Sequence, residues 1–165
     1  MQLKRGWQYI INDHEFISLE TAKNINRIVA RDDALFPGEL RTGQGFFSTY
    51  NGDYIPPETI DADKETEFLN ELLASNRSTT DKALTLMFHN MRQQIFWDGN
   101  KRSATLLANK FMIDNGAGLI AVQADKYPTF LGKISDYYHS NDMAEVKCWT
   151  YENGIQGIDL MKAKN

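Results

Sequence analysis

Gln94-Ile95-Phe96-Trp97-Asp98-Gly99-Asn100-Lys101-Arg102-Ser103 is the stretch on which the reading of this chain turns. Runs with apolar residues at helical spacing stand on both sides of it, so it is a short polar connection between two helices. Asp98-Gly99 is turn chemistry, and Asn100 has the right side chain for the N-cap of the second helix. Lys101 and Arg102 then fall in that helix's first turn. The macrodipole already places about half a positive charge there, and each added cation is disfavoured by roughly 0.3–1 kcal/mol. Breaking a local rule in this way is a mark of functional sites. Free N–H groups, an Asn amide, a Lys and an Arg converge where an anion such as phosphate could sit. Asp98 beside them would be a hard oxygen ligand for Mg2+, which bridges phosphates through one or two carboxylates. The plainer reading is a turn at Asp98 with Lys101 and Arg102 as solvated charges. The residues alone leave both open.

Working outward, the pattern predicts a mainly α protein with one short β-hairpin. Before the loop, residues 80–94 carry Ala83, Leu84, Met87, Phe88 and Met91 at i, i+3, i+4 spacing, with Thr80 or Asp81 as cap. After it, a helix over 100–115 stops at Asn115-Gly116. Further helices are expected over 18–33, capped by Ser18 and striped by Ala22, Ile25, Ile28 and Val29, and over 61–76. Two more are expected, over about 125–140 and from about Asp142 onward. Between the first two, the aromatic-rich runs 46–50 and 53–55 flank Asn51-Gly52, a strong hairpin signal because both turn residues tolerate positive φ. Pro56-Pro57 closes that segment.

The 165 residues suit a single domain spanning 1–165. A net charge of −4 argues against a surface built for DNA. No apolar run approaches the ~20 residues of a membrane helix, and no signal-peptide core follows Met1. The lone Cys148 excludes an internal disulfide and a cysteine zinc cluster. A cytoplasmic, reducing environment is the expectation, with Cys148 a small buried hydrophobe. Phe130, Tyr137 and Tyr138 are expected in the core, and Trp97 packs the two helices or stacks on a base.

The 94–102 stretch resembles the signature loop of the Fic/Doc family, His-x-Phe-x-(Asp/Glu)-(Gly/Ala)-Asn-(Gly/Lys)-Arg, at Phe96, Asp98, Gly99, Asn100, Lys101 and Arg102. The 38–41 stretch Gly-Glu-Leu-Arg and the Pro pair are similar to the family's flap region, and the order of elements agrees over about 17–152. The resemblance implies a Fic-like helical bundle with a hairpin flap. It implies binding of ATP, or another nucleoside triphosphate, with Mg2+, and in most members transfer of AMP to a protein hydroxyl. By position Asp98 would hold the metal, Gly99 and Asn100 would form the anion hole, and Lys101 and Arg102 would grip phosphate. The flap residues Phe46, Phe47, Ser48, Thr49 and Tyr50 would dock a protein target by strand addition. An antitoxin-like inhibitor is a further partner of the kind the family uses.

The family's general base is a histidine, and its place is held by Gln94. A glutamine amide only hydrogen-bonds, and losing a general base typically costs ~10²–10⁴-fold in rate. Of His14, His89 and His139, none is expected to substitute. His89 lies about 140° around the helix from Gln94. A second arginine common in AMP-transferring members corresponds to Thr105. Three functions stay open: weakened or altered AMP transfer, an inactive interaction module, and a Doc-like toxin kinase. The family's inhibitory Ser/Thr-x-x-x-Glu helix has only a loose counterpart at 148–153, where Cys148 precedes Glu152.

Overall fold

The computed structural model describes residues 1–157. Among them are seven α-helices: α1 (Gln2–Asn12), α2 (Leu19–Val29), α3 (Ala62–Ala74), α4 (Thr79–Gln93), α5 (Asn100–Asp114), α6 (Tyr127–Ser140) and α7 (Ala144–Asn153). The hairpin is β1 (Phe47–Thr49) with β2 (Gly52–Tyr54), and a two-residue ladder joins β3 (Leu119–Ile120) to β4 (Ile155–Gln156). The mainly α architecture with a short flap hairpin is as the sequence predicts. The helix expected from about Asp142 onward is shorter than that: α7 stops at Asn153 and β4 follows it, while 158–165 lie outside the described residues.

Antiparallel α4 and α5 form the middle of the bundle, because each is apolar on two faces. One core groups Leu84, Met87, Phe88 and Met91 of α4 with Ala104, Ala108 and Met112 of α5, under Phe130, Ile134, Tyr137 and Tyr138 of α6. The other sets Leu86, Leu106 and Leu107 against Ile10 of α1, Ile25 and Val29 of α2, and Leu69 and Leu72 of α3. Burial of both apolar faces fixes the two helix ends that the 94–99 loop must join.

Several expectations need correction. α1 carries no side-chain cap and has glycine at its centre, so nothing local announced it. Gly6 is there for close approach. A β-carbon on it would lie 2.6 Å from Leu106 Cδ1 and 2.8 Å from Val29 Cγ1. α2 stops at Val29 rather than reaching Asp33, and its start is as expected, with Ser18 and Thr21 forming a capping box. Ser78, not Thr80 or Asp81, caps α4. In the hairpin, Thr49 pairs with Gly52, so Tyr50 and Asn51 form the turn; Gly52 alone takes positive φ, at 107°. Cys148 is exposed, not buried, with its Sγ 3.7 Å from Glu152 Oε1.

Candidate functional site

α4 ends in an unusual way. Gln94 takes the left-handed conformation (φ 49°, ψ 57°), which a residue with a Cβ adopts only when its surroundings enforce it. Its side chain is 4% exposed and fully engaged. Nε2 donates to Met91 O at 2.7 Å and to the Tyr138 hydroxyl at 3.3 Å, while Oε1 accepts from Asn100 Nδ2 at 3.0 Å. Asn100 is not the N-cap of α5. Gly99 holds that place at φ 71°, and Asn100, the first helical residue, turns its amide back into the loop. There it accepts from Phe96 N at 2.9 Å and donates to Phe96 O at 2.9 Å, besides its bond to Gln94. Its role in this structure is to brace the loop.

Two residues from distant parts of the chain hold the loop from outside; in the sequence Asn26 has no evident role, and Arg41 figures only as the end of the 38–41 stretch that resembles the flap region. Asn26 of α2, fully buried, donates to Asp98 O at 2.8 Å and to Ser103 Oγ at 3.0 Å, and accepts from Gly38 N at 2.8 Å. Its signal was a polar residue on the apolar stripe, four after Ala22 and three before Val29. Arg41 donates to the carbonyls of Gln93 and Gln94.

The loop and the hairpin face each other across an open cleft of about 350 Å³. Gln94, Asp98, Gly99, Asn100, Lys101 and Arg102 line one side; Phe46, Phe47, Ser48 and Thr49 line the other, and Tyr138 the floor. Thus the cleft gathers most residues singled out in the sequence. Phe96 is not among them. It is 1% exposed, and its backbone bridges Leu40 beneath the loop. Tyr50 borders a neighbouring cleft of about 340 Å³ with Lys101, Leu131 and Ser135. Trp97 packs toward Phe36, with ring centroids 6.4 Å apart.

The first backbone N–H groups of α5, on Asn100, Lys101 and Arg102, have no acceptor among the described residues, as helix geometry requires. Lys101 Nζ stands 5.8 Å from the centre of the Tyr138 ring, and the surrounding protein holds its ammonium below the ordinary pKa. Burial pushes the Tyr138 hydroxyl well above the usual phenol range, so it is a neutral donor and acceptor. Arg102 is tied to α2's end: Nη1 donates to Val29 O at 2.8 Å and Nη2 meets Asp33 Oδ2 at 2.8 Å. Thr105 Oγ1 donates to Lys101 O at 2.8 Å.

None of the three histidines lies in the cleft. His89 Nε2 is 2.7 Å from Glu65 Oε2 and its ring stacks on Phe68. His14 is exposed, and His139 is an exposed residue whose Nε2 lies 3.0 Å from Thr49 Oγ1 at the hairpin.

The donor set suits a magnesium ion shared with phosphates rather than a protein cage. No group of three or more His, Cys, Asp or Glu side chains is placed to hold a metal among the described residues. Asp98 is the carboxylate on the cleft, with its side chain 54% exposed. Its Oδ1 accepts from Gly99 N, and Oδ2 has no partner among the described residues. One carboxylate with open coordination positions is what a phosphate-bound Mg2+ needs.

No curated protein sequence matches the chain significantly. Solved structures share its fold, among them the following three. A Fic domain-containing signaling protein from Bacteroides thetaiotaomicron VPI-5482 aligns with a TM-score of 0.72 at 17% identity, over 92% of this chain and 64% of that one. Fic-1 (residues 134–508, E274G) from C. elegans gives 0.74 at 17%, over 92% and 46%. The BepC protein of Bartonella tribocorum, a VirB-translocated effector solved with bound AMPPNP, gives 0.64 at 11%, over 94% and 84%. The chain therefore spans less than two thirds of the first two. The Fic/DOC family model matches residues 16–112, which include α2, the hairpin, the loop and most of α5. With the signature loop and the flap hairpin facing one cleft in this order, the chain belongs to the Fic/DOC family.

Proposed function

We propose that this chain binds ATP with Mg2+ in the cleft between hairpin and loop and transfers AMP slowly to a hydroxyl of a protein aligned along the hairpin, with pyrophosphate leaving as the new phosphate ester forms. The observation that carries the reading is the meeting, in one cleft, of α5's unpaired N–H groups, Lys101 and Asp98 with the β1 strand. The N–H groups and Lys101 suit a phosphate chain, and Asp98 would hold Mg2+, which supplies charge neutralisation at the phosphates. AMPPNP in the BepC structure supports a nucleotide in this fold.

The chain's own residues set the rate. Gln94 neither takes nor gives a proton near neutrality, so the attacking hydroxyl loses its proton without a side-chain base at position 94. What remains is positioning and electrostatic stabilisation, on which phosphoryl chemistry largely relies. The Tyr138 hydroxyl, accepting from Gln94 Nε2, fixes the orientation of that amide and closes the floor. Protein labelling from ATP carrying label on either the α- or the γ-phosphate tests this. Wild type is expected to transfer the α label weakly, and Gln94→His to raise the yield by about 10²–10⁴-fold. Transfer of the γ label would establish a kinase instead. No gain in Gln94→His would contradict the assignment of position 94.

A second reading has its own support. Every polar atom of the Gln94 side chain is engaged by the protein, through Met91 O, the Tyr138 hydroxyl and Asn100, which turns the base position into a structural tie. A non-catalytic module that binds a partner protein at the hairpin would keep that tie, and it predicts nucleotide binding or none, but no transfer of either label.

A further inference from the structure

Arg41 has the largest side chain among those that are almost wholly buried, at 1% exposure. All its recorded side-chain partners are main-chain carbonyls. Nε donates to Gln94 O at 2.9 Å and Nη2 to Gln93 O at 3.1 Å; Nη1 donates to Gly43 O at 2.6 Å and to Glu58 O at 3.1 Å. These four acceptors fall into two sets. Gln93 and Gln94 are the end of α4 and the root of the signature loop, the negative end of a helix dipole. Gly43 and Glu58 are the two legs from which the hairpin rises. One guanidinium therefore pinches the hairpin's legs together and fastens them to the loop. The backbone does the same beside it: Arg41 N donates to Ile95 O at 2.9 Å, and Ile60 N to Arg41 O at 3.3 Å.

The arrangement is costly to build. A charge is taken out of water with carbonyl dipoles in place of a carboxylate, and burial lowers the guanidinium's pKa. Support for the fold alone could come from an apolar residue of similar volume. A planar fork that reaches two separate segments at once has no such substitute. The far end of the hairpin is held separately, on α6: Asn51 N donates to Ser135 Oγ at 3.2 Å, and Thr49 Oγ1 lies 3.0 Å from His139 Nε2. The hairpin thus has a tip anchor on α6 and a base anchor on Arg41, with β1 stretched across the cleft between them.

We infer that Arg41 is a positioning residue, which sets the hairpin against the signature loop and holds Gln94 in its left-handed conformation. This rests on the cleft being the transfer site. There, the distance between a strand laid on β1 and phosphates at α5 would be fixed by Arg41, and a misplacement of about 1 Å costs on the order of 10²-fold in rate.

Amide hydrogen exchange on the full chain tests it, comparing wild type with Arg41→Met and Arg41→Lys. In Arg41→Met, peptides over 43–58 and over 93–99 are both expected to exchange about tenfold faster, while α6 and α7 keep wild-type protection. Arg41→Lys is expected to follow Arg41→Met, since a point charge cannot span the two sets of carbonyls. Faster exchange in only one of the two segments would overturn the inference. So would acceleration throughout the chain, wild-type protection in Arg41→Lys, or failure of both variants to fold, each of which makes Arg41 a residue of general stability. The measurement uses no nucleotide. Absence of Mg-ATP binding and of transfer in the wild type, measured in separate assays, would overturn the function proposed for the cleft while leaving the coupled exchange pattern intact.

Discussion

Asn26, Gln94 and Asn100 illustrate how much polar side-chain chemistry a short loop needs before it can present anything to a ligand. Gln94 and Asn100 bond to each other and to the loop backbone. Asn26 reaches the loop from α2, 72 residues away in sequence, to hold the Asp98 carbonyl. All three are buried. Truncating Asn26 to alanine would leave Gly38 N, Asp98 O and Ser103 Oγ short of a partner. One buried group left unpaired costs about 1–3 kcal/mol, so urea denaturation of Asn26→Ala is expected to show a loss of at least about 2 kcal/mol. A midpoint equal to that of wild type would mean that water replaces the amide at no cost. The site residues legible in the sequence were those that lie together in two short stretches, Phe46 to Thr49 and Gln94 to Arg102. Asn26 and Arg41 act only through contacts made by folding, so no local pattern displayed their role. The same holds for the way Asn100 is used. Its side chain suits an N-cap, yet bonds to Gln94 and Phe96 outweigh that preference.

At the scale of elements, helix placement followed from apolar periodicity wherever a helix has a clear stripe and a cap, as in α2, α3 and α4. α1 escaped because Gly6 sits where a helix former is expected, and because its apolar contacts are made with α2 and α5. The β3–β4 ladder joins residues 37 apart in its outer pair, Leu119 and Gln156, and Asn109 steadies it by bonding both Ile120 N and Ile120 O. Such pairing has no short-range signature. The hairpin was legible, but its turn sits one residue earlier than Asn51-Gly52 suggested. The junction of loop and α5 depends on Gly99. Its φ of 71° suits glycine, and a β-carbon there would lie 3.0 Å from Ala30 Cβ at the end of α2. Gly99→Ala is therefore expected to cost about 1–2 kcal/mol in the left-handed conformation, plus any shift of α2. Chemical denaturation measures it, and an unchanged stability would show that the loop can be entered from another backbone conformation.

For the molecule as a whole, the two cores meet along α4 and α5, so the loop that joins these helices is anchored by both. The hairpin, by contrast, contributes only Tyr54 to either core. This division gives a rigid wall at the start of α5 and a lighter opposing wall, tied down at its base by Arg41 and at its tip by α6. Arg102 lies at the rim, paired with Asp33 and with Val29 O. Nucleotide binding at this wall would have to draw its guanidinium away from these partners and onto the phosphates. Among the described residues no helix is long and apolar enough to cross a membrane. The fold rests on residues 1–157 and the family on the match over 16–112. The function rests on whether this one cleft takes a phosphate chain, and calorimetric titration with Mg-ATP of the wild type beside Arg102→Ala tests that most directly. Saturable binding to the wild type, weakened at least about tenfold in Arg102→Ala, is the expected result, corresponding to loss of a charge-assisted contact of about 1.4 kcal/mol or more. Binding that is equal in the two proteins, or no binding to the wild type, would contradict a live phosphate site at the start of α5.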